Sequence, residues 1–217
     1  MKKKYFITAA LLGFVPLLLS ANEIKSIDTK VNTVMKVRVA KKGTDNIIIG
    51  SDYNGVILAT DYNGDILWRT KIADGTMNHD IWCADIDGDG KQEIFVANAN
   101  GSLTCLDISG EKKWFFTPYD SVHRTPMYSV CVVKRDNKPY VVCGDFSTNC
   151  YYLDALNGKI VQTLSSKDYS KAKVFKTDKK YNSLHVANFL RPIPVDSGND
   201  LLLIHGSNNH MQSSGEF

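Results

Sequence analysis

The chain has no Cys-x-x-Cys pair, no stretch of helical periodicity and no apolar run long enough to cross a bilayer. Without Cys-x-x-Cys the usual zinc and redox signatures are missing. Without a helical period, strands are what the fold must be built from. The main apolar run, Tyr5 to Leu19, is shorter than the ~20 residues of a spanning helix. It follows Lys2, Lys3 and Lys4 and leads into Ser20-Ala21-Asn22, the order of a secretory signal peptide. Cleavage after Ala21 is expected, giving a signal peptide over 1–21 and a secreted or periplasmic mature chain over 22–217. An uncleaved anchor is the competing reading. The first cysteine, Cys83, is far from the cut, which argues against a lipid anchor.

A basic excess is also lacking once the leader is set aside. The 26 basic residues outnumber 23 acidic ones only because three lysines precede the cut. A near-neutral mature chain has no electrostatic footprint for nucleic acid, so no nucleic-acid partner is expected. Cysteine is sparse and odd in number: Cys83, Cys105, Cys131, Cys143 and Cys150. Export permits disulfides, but at least one thiol is left over. Cys143 and Cys150 flank a predicted hairpin and have the spacing to face each other. Cys83 and Cys131 lie within apolar strand patterns, where cysteine serves as a small buried hydrophobe. Buried free thiols are the expectation for most of the five.

What the chain does have is a repeat. Gly55, Asp61, Gly64 and Trp68 recur as Gly101, Asp107, Gly110 and Trp114, all at an offset of 46. A third copy runs from Tyr151 through Asp154 and Gly158, with one extra turn residue and Gln162 in place of tryptophan. Each copy makes a tight Asp-x-x-Gly or Asp-x-x-x-Gly turn between two β-rich runs. Glycine supplies a positive φ there and aspartate accepts from nearby amides. Two further apolar runs precede each turn, giving four strands per unit. Units of this length and composition are propeller blades. The predicted fold is an all-β propeller of four-stranded antiparallel blades at about 31–72, 79–116 and 127–165, with an incomplete fourth at 183–217. A meandering β-sandwich is the alternative, and it leaves the shared offset unexplained.

The Asp-x-x-Gly-x-x-x-Trp turns resemble those of quinoprotein-dehydrogenase-like propeller repeats. Asp85-Ile-Asp87-Gly-Asp89-Gly90-Lys91-Gln-Glu93 resembles the calcium loop of FG-GAP repeats, also found in some propeller-shaped polysaccharide lyases. The resemblance covers most of residues 31–206 and speaks for architecture more than for activity. The chain gives no independent support for a quinone. The loop itself has calcium chemistry: a hard cation needs six to eight oxygens. Asp85, Asp87 and Asp89 supply alternate carboxylates, Gly88 and Gly90 let the backbone curl, and the Lys91 carbonyl and Glu93 carboxylate complete the set. An EF-hand would need an acid at the twelfth loop position, where Val96 stands. Calcium is therefore expected here, as a fastener of the hairpin, against the plainer reading of a solvated acidic turn. The equivalent turns of blades one and three, 41–46 and 134–138, lack the carboxylate series.

A softer pattern places His79 and Asp80, His123 and Arg124, and His185 at or just before the innermost strand of successive blades. Polar groups repeated there converge near a propeller axis, where ligands bind. Ordinary polar loop residues are the alternative. Six lysines between Ser165 and Asn182 read as a solvated loop or as a contact for a polyanion. Trp68 and Trp114 suit sugar stacking, but their repeated position favours blade packing. Two functions follow. One is an exported binding or scaffold module for a glycan or protein ligand. The other is an enzyme on acidic polysaccharide, a lyase with His79 or His123 as base and Arg124 as its cation. The unfinished fourth blade leads to the expectation that this is an N-terminal fragment, the remaining blades coming from a longer chain or a partner.

Overall fold

The computed structural model describes residues 27–29, 33–120, 123–165, 168, 185–195 and 198–208. The predicted leader and the lysine-rich segment, apart from Ser165 and Asp168, lie outside these residues. Blade one comprises β1 (Val34–Lys42), β2 (Asp45–Asp52), β3 (Val56–Thr60) and β4 (Ile66–Lys71). Blade two is built from β5 (Asn78–Ala84), β6 (Glu93–Asn98), β7 (Leu103–Leu106) and β8 (Lys112–Phe116). Blade three has β9 (Met127–Arg135), β10 (Lys138–Asp145), β11 (Asn149–Asp154) and β12 (Ile160–Ser165). The fourth sheet pairs β13 (His185–Ile193) with β14 (Leu201–Asn208). Each sheet is an antiparallel meander in chain order. The propeller expected from the repeat is the fold observed. Among the described residues no helix is long and apolar enough to cross a membrane.

The core lies between blades, not within them. In β6 every residue from Glu93 to Asn98 is buried, because both faces of the strand are covered. Side chains alternate between those faces. Ile94 and Val96 join Ile49, Ile57 and Ala59 of blade one, while Phe95 and Ala97 join Val141, Cys143 and Leu153 of blade three. Blade three repeats the arrangement: Val142 and Cys150 turn the other way, toward Ala187 and Leu190. This two-sided burial is why the middle strands read as continuous apolar runs. The outermost strands, β4 and β12, are largely exposed.

The same alternation decides the cysteines. All five are free thiols. Cys143 pairs with Tyr151 and Gly144 with Cys150, so the two sulfurs point to opposite faces and into different core clusters. A Cys143–Cys150 bridge is therefore excluded by the pleat. Burial pushes the Cys83 and Cys150 thiols up to about 12.

The repeated turns carry the contact that joins one blade to the next. Asp61 Oδ1 accepts from Asn63 N–H at 2.8 Å and Asp65 N–H at 2.9 Å. Asp107 Oδ1 does the same for Ser109 and Glu111, both at 2.9 Å. Gly110, at φ +88°, is thereby presented to blade one, where the Trp68 ring would lie 2.7 Å from any Cβ added to it. Trp68 Nε1–H also donates to the Ile108 carbonyl at 3.0 Å, and Thr70 Oγ1 to Gly110 O at 2.6 Å. Blade two repeats the lock on blade three. Trp114 Nε1–H donates to Ala155 O at 3.0 Å, and its ring sits 2.6 Å from a Cβ position at Gly158. So both tryptophans are packing residues, as their spacing suggests. In blade one the equivalent seat, Gly64, is covered by Ile27, whose Cγ1 lies 3.3 Å from the Cβ position. Arg69 holds the same segment by donating to Thr29 O at 2.8 Å.

A second turn repeats without having been legible as such. Asp52, Asn98 and Asp145 each use Oδ1 to accept a backbone amide of the β2–β3, β6–β7 or β10–β11 turn, at 2.7 to 2.9 Å. The alternation of aspartate with asparagine hides the pattern.

Gly110→Ala should destabilise the fold about as much as Trp68→Ala, on the order of 3 kcal/mol, because either change opens the same contact. Gly43 also has positive φ, but its Cβ position is empty to 4 Å. Gly43→Ala should cost only about 1–2 kcal/mol of backbone strain. Urea unfolding followed by circular dichroism gives all three, and equal costs for the two glycine variants would remove the lock.

Candidate functional site

The loop from Asp85 to Gln92 joins β5 to β6. Asp85 organises it, Oδ1 accepting from Gly88 N–H at 2.7 Å and Oδ2 from Gly90 N–H at 3.0 Å. Asp87 Oδ1 accepts from Asp89 N–H at 3.2 Å, and Asp89 Oδ1 from Lys91 N–H at 2.7 Å. Gly88 and Gly90 take φ +82° and +81°, and no atom lies within 4 Å of a Cβ position at either. The three carboxylates are exposed, and one oxygen from each lies within 4.8 Å of the other two. The Lys91 amide holds the Asp89 carboxyl below its usual range, with the Lys91 and Lys113 charges assisting.

Glu93 is placed differently from its loop partners. Its side chain is buried, Oε2 accepting from Ile86 N–H at 3.4 Å and Oε1 from Lys113 Nζ at 2.7 Å. Lys113 also approaches Asp87 Oδ2 at 3.8 Å. Burial opposes the Lys113 charge, but the Glu93 hydrogen bond and the surrounding carboxylates outweigh it and raise its pKa. Of the five residues read as ligands, three carboxylates cluster. Glu93 faces the protein, and the Lys91 ammonium stands 3.4 Å from Asp89 Oδ2. The loop is also stitched to blade one. Gly43 N–H donates to Gly90 O at 3.1 Å, and Gln92 N–H to Lys41 O at 3.0 Å. Blades three and four are joined the same way, through Asn137 N–H to Gly198 O at 3.0 Å and Lys134 N–H to Asp200 Oδ2 at 2.7 Å.

The axial candidates divide into two groups. His79, at the start of β5, stacks on Tyr128 at 4.6 Å between centroids, with Nδ1 3.1 Å from the Met127 carbonyl. Burial is the main cause of its lowered pKa, and Lys36 adds to it; the Met127 hydrogen bond works in the opposite sense. Asp80 is buried. Its Oδ1 lies 3.4 Å from Arg38 Nη2 and its Oδ2 3.4 Å from Arg191 Nη1. Neither arginine was among the sequence candidates. The available signal was an arginine set among apolar residues of an innermost strand: Val37-Arg38-Val39 in β1 and Leu190-Arg191 in β13.

His123 and Arg124 stand elsewhere, exposed on the connection from β8 to β9. His123 Nδ1 is 3.7 Å from Asp120 Oδ2, and Arg124 Nε–H donates to Asp120 O at 3.1 Å. The foot of that connection is pinned by Tyr119, whose hydroxyl donates to buried Asp145 and accepts from Thr125. Tyr151 donates to the same carboxylate oxygen at 2.8 Å. His185 opens β13 and pairs through its backbone with Asn208; its side chain lies outside the described residues. The sequence candidates are thus held by separate sets of partners.

The family described as lambda-carrageenase beta-propeller domain matches residues 47–217. A lambda-carrageenase of Pseudoalteromonas sp is 39% identical over 199 residues, which is 91% of this chain and 20% of that protein. The lambda-carrageenase of Pseudoalteromonas carrageenovora gives the same identity and coverage. The chain therefore spans about a fifth of the length of the curated relatives it matches. BamB from Moraxella catarrhalis is similar with a TM-score of 0.52 at 15% identity, over 81% of this chain and 47% of that one. That likeness shows the propeller fold alone.

His79 gives this region a pH signature. Its folded pKa is below the unfolded value of ~6.5, so between the two the unfolded chain binds the extra proton. Stability should rise with pH through that window and level off above it. The urea midpoint should therefore fall from pH 7 to pH 5, with His79→Gln showing a shallower fall. Identical profiles for variant and wild type would mean the ring is not held neutral.

Proposed function

The chain belongs to the lambda-carrageenase β-propeller domain family, and we propose that it is an exported propeller module that recognises an anionic glycan and is fastened by calcium. The observation that carries the glycan reading is 39% identity across 91% of the chain to proteins named for carrageenan. Two features of the site agree with it. Arginines and a lysine lie along the innermost strands, where a polyanion is best accommodated. The candidate base His79 has its Nδ1 engaged by a backbone carbonyl, which favours positioning over proton transfer. Export rests on the lysine-then-apolar start of the sequence.

Calcium fits the donor set. Asp85, Asp87 and Asp89 present hard oxygens on one exposed loop, and the two glycines supply the positive φ its curl needs. The likeness to FG-GAP calcium loops points the same way. The ion would neutralise three clustered carboxylates and stiffen the loop that ties blade two to blade one. Its role is architectural, and no chemical step is assigned to it.

A second reading makes the chain a contributor to glycan cleavage, and the family's own name favours it. His123, exposed beside Arg124, is then the candidate base of an enzyme acting on acidic glycans. A single experiment separates the two. The chain should be retarded in native gels containing lambda-carrageenan, but not in gels containing neutral agarose. Incubation with the polymer should release no new reducing ends and no product absorbing near ~235 nm, the general signature of lyase chemistry. Cleavage abolished by His123→Ala would establish the enzymatic reading instead.

Calcium at about a hundredfold its Kd should add ~2.7 kcal/mol, a rise of roughly 5–10 °C in melting temperature over the EDTA-treated protein. Asp87→Ala should abolish the rise. A variant that keeps it would move the metal away from this loop.

A further inference from the structure

The innermost strands of all four sheets meet at one carboxylate. Asp80 of β5 faces Arg38 of β1 at 3.4 Å, Arg191 of β13 at 3.4 Å, and the Val130 amide of β9 at 3.4 Å. These contacts join residues separated by 42, 111 and 50 positions in the chain. The balance of charge is two cations to one anion. Lys36 sits two residues before Arg38 and so on the same face of β1, and its charge already weighs on His79.

The arginines are also short of acceptors. A guanidinium has five N–H donors, and charge-assisted bonds to carboxylate usually run ~2.7–2.9 Å. Both contacts to Asp80 are longer than that. Arg38 gives Nη1 to the Val37 carbonyl at 3.0 Å, and its buried Nε has no hydrogen-bond partner among the described residues. Arg191 gives Nη1 to the Leu190 carbonyl at 2.6 Å. Its guanidinium carbon lies over two rings, 3.8 Å from the Phe189 centroid and 5.3 Å from that of Trp82. Such cation–π contacts orient a guanidinium without consuming its donors. Yet the two side chains remain 29% and 21% exposed, so a solute can reach them. A partly buried cation pair with one shared, stretched counter-ion keeps donors in hand for a second anion.

We propose that Arg38 and Arg191 form an oxyanion subsite that binds one sulfate or carboxylate substituent of a glycan. Asp80 is the resident counter-ion that competes with the incoming anion for the two guanidiniums, and is not itself a contact to sugar. Trp82 and Phe189 are positioning residues for Arg191. This rests on the anionic-glycan reading above and gives it a location.

The test is an amide and indole NMR titration of the full chain with sodium sulfate, and separately with sodium acetate, against sodium chloride at matched ionic strength. The Trp82 indole N–H and the Val130 amide should shift saturably, and the arm that saturates identifies the oxyanion. Arg38→Gln should weaken that binding at least tenfold, and Asp80→Asn should tighten it several-fold by releasing both arginines. If Arg38→Gln does not fold, Arg38→Lys carries the test, since it keeps the charge and loses the fork. Absence of a saturable shift, an unchanged affinity on removing the fork, or weaker binding in Asp80→Asn would each overturn the subsite. Gel retardation by lambda-carrageenan is read in parallel. Saturable anion binding without retardation would sink the glycan reading and leave the subsite standing. Equal retardation of Arg38→Gln and wild type would sink the subsite and leave the glycan reading.

Discussion

An indole ring lying on a glycine is the contact from which the rest of the architecture follows. Trp68 reaches Gly110 because no Cβ stands between them, and Trp114 reaches Gly158 for the same reason. The ring then donates its N–H to a carbonyl of the same turn, which fixes the orientation of the neighbouring blade as well as its distance. Once that distance is set, the apolar faces of β2 and β3 meet those of β6 and β7 at van der Waals range. Dispersion and burial do the remaining work, each blade serving as the other half of its neighbour's core. The Asp-x-x-Gly turn is therefore both the end of one hairpin and the socket of the next interface.

The same spacing governs the two sites. The acidic loop of blade two hydrogen-bonds to the β1–β2 turn only because the sheets stand at the separation the indole sets. The axial charges meet for a related reason. Arg38, Asp80 and Arg191 lie on three different sheets, and a small change in the angle between blades would part them. One contact at the outer strands thus sets the geometry of groups at the inner ones. The exposed His123–Arg124 tip is different. Its base is fixed by Tyr119 of that connection and by Asp145 at the end of β10.

How much of this could be read from the sequence follows from how local each feature is. Gly55, Asp61, Gly64 and Trp68 recur because turn chemistry and ring packing act at fixed short distances along the chain, so the propeller was legible. The clustering of Asp85, Asp87 and Asp89 was legible for the same reason. Glu93 was not, since its partner Lys113 comes from another strand of the blade. Nor were Arg38 and Arg191, whose meeting at Asp80 depends on three interfaces. The turn residues Asp52, Asn98 and Asp145 were hidden by a change of side chain that conserves the acceptor oxygen. Cys143 and Cys150 were misleading: their spacing suits a bridge, while the pleat turns them apart.

The seat at Gly64 is filled by Ile27, where the next two seats hold indoles. Along the chain each cover precedes the glycine it covers: Ile27 before Gly64, Trp68 before Gly110, Trp114 before Gly158. A growing polypeptide that orders itself from its N-terminal side therefore always makes the cover before the seat. Ile27 waits for Gly64 as the rings wait for their glycines. Each later ring must wait, wetted and unsupported, until the ribosome delivers the turn some forty residues further on. Gln162 ends that succession with an amide, which water solvates well, so the nascent chain leaves blade three without an aromatic ring in waiting.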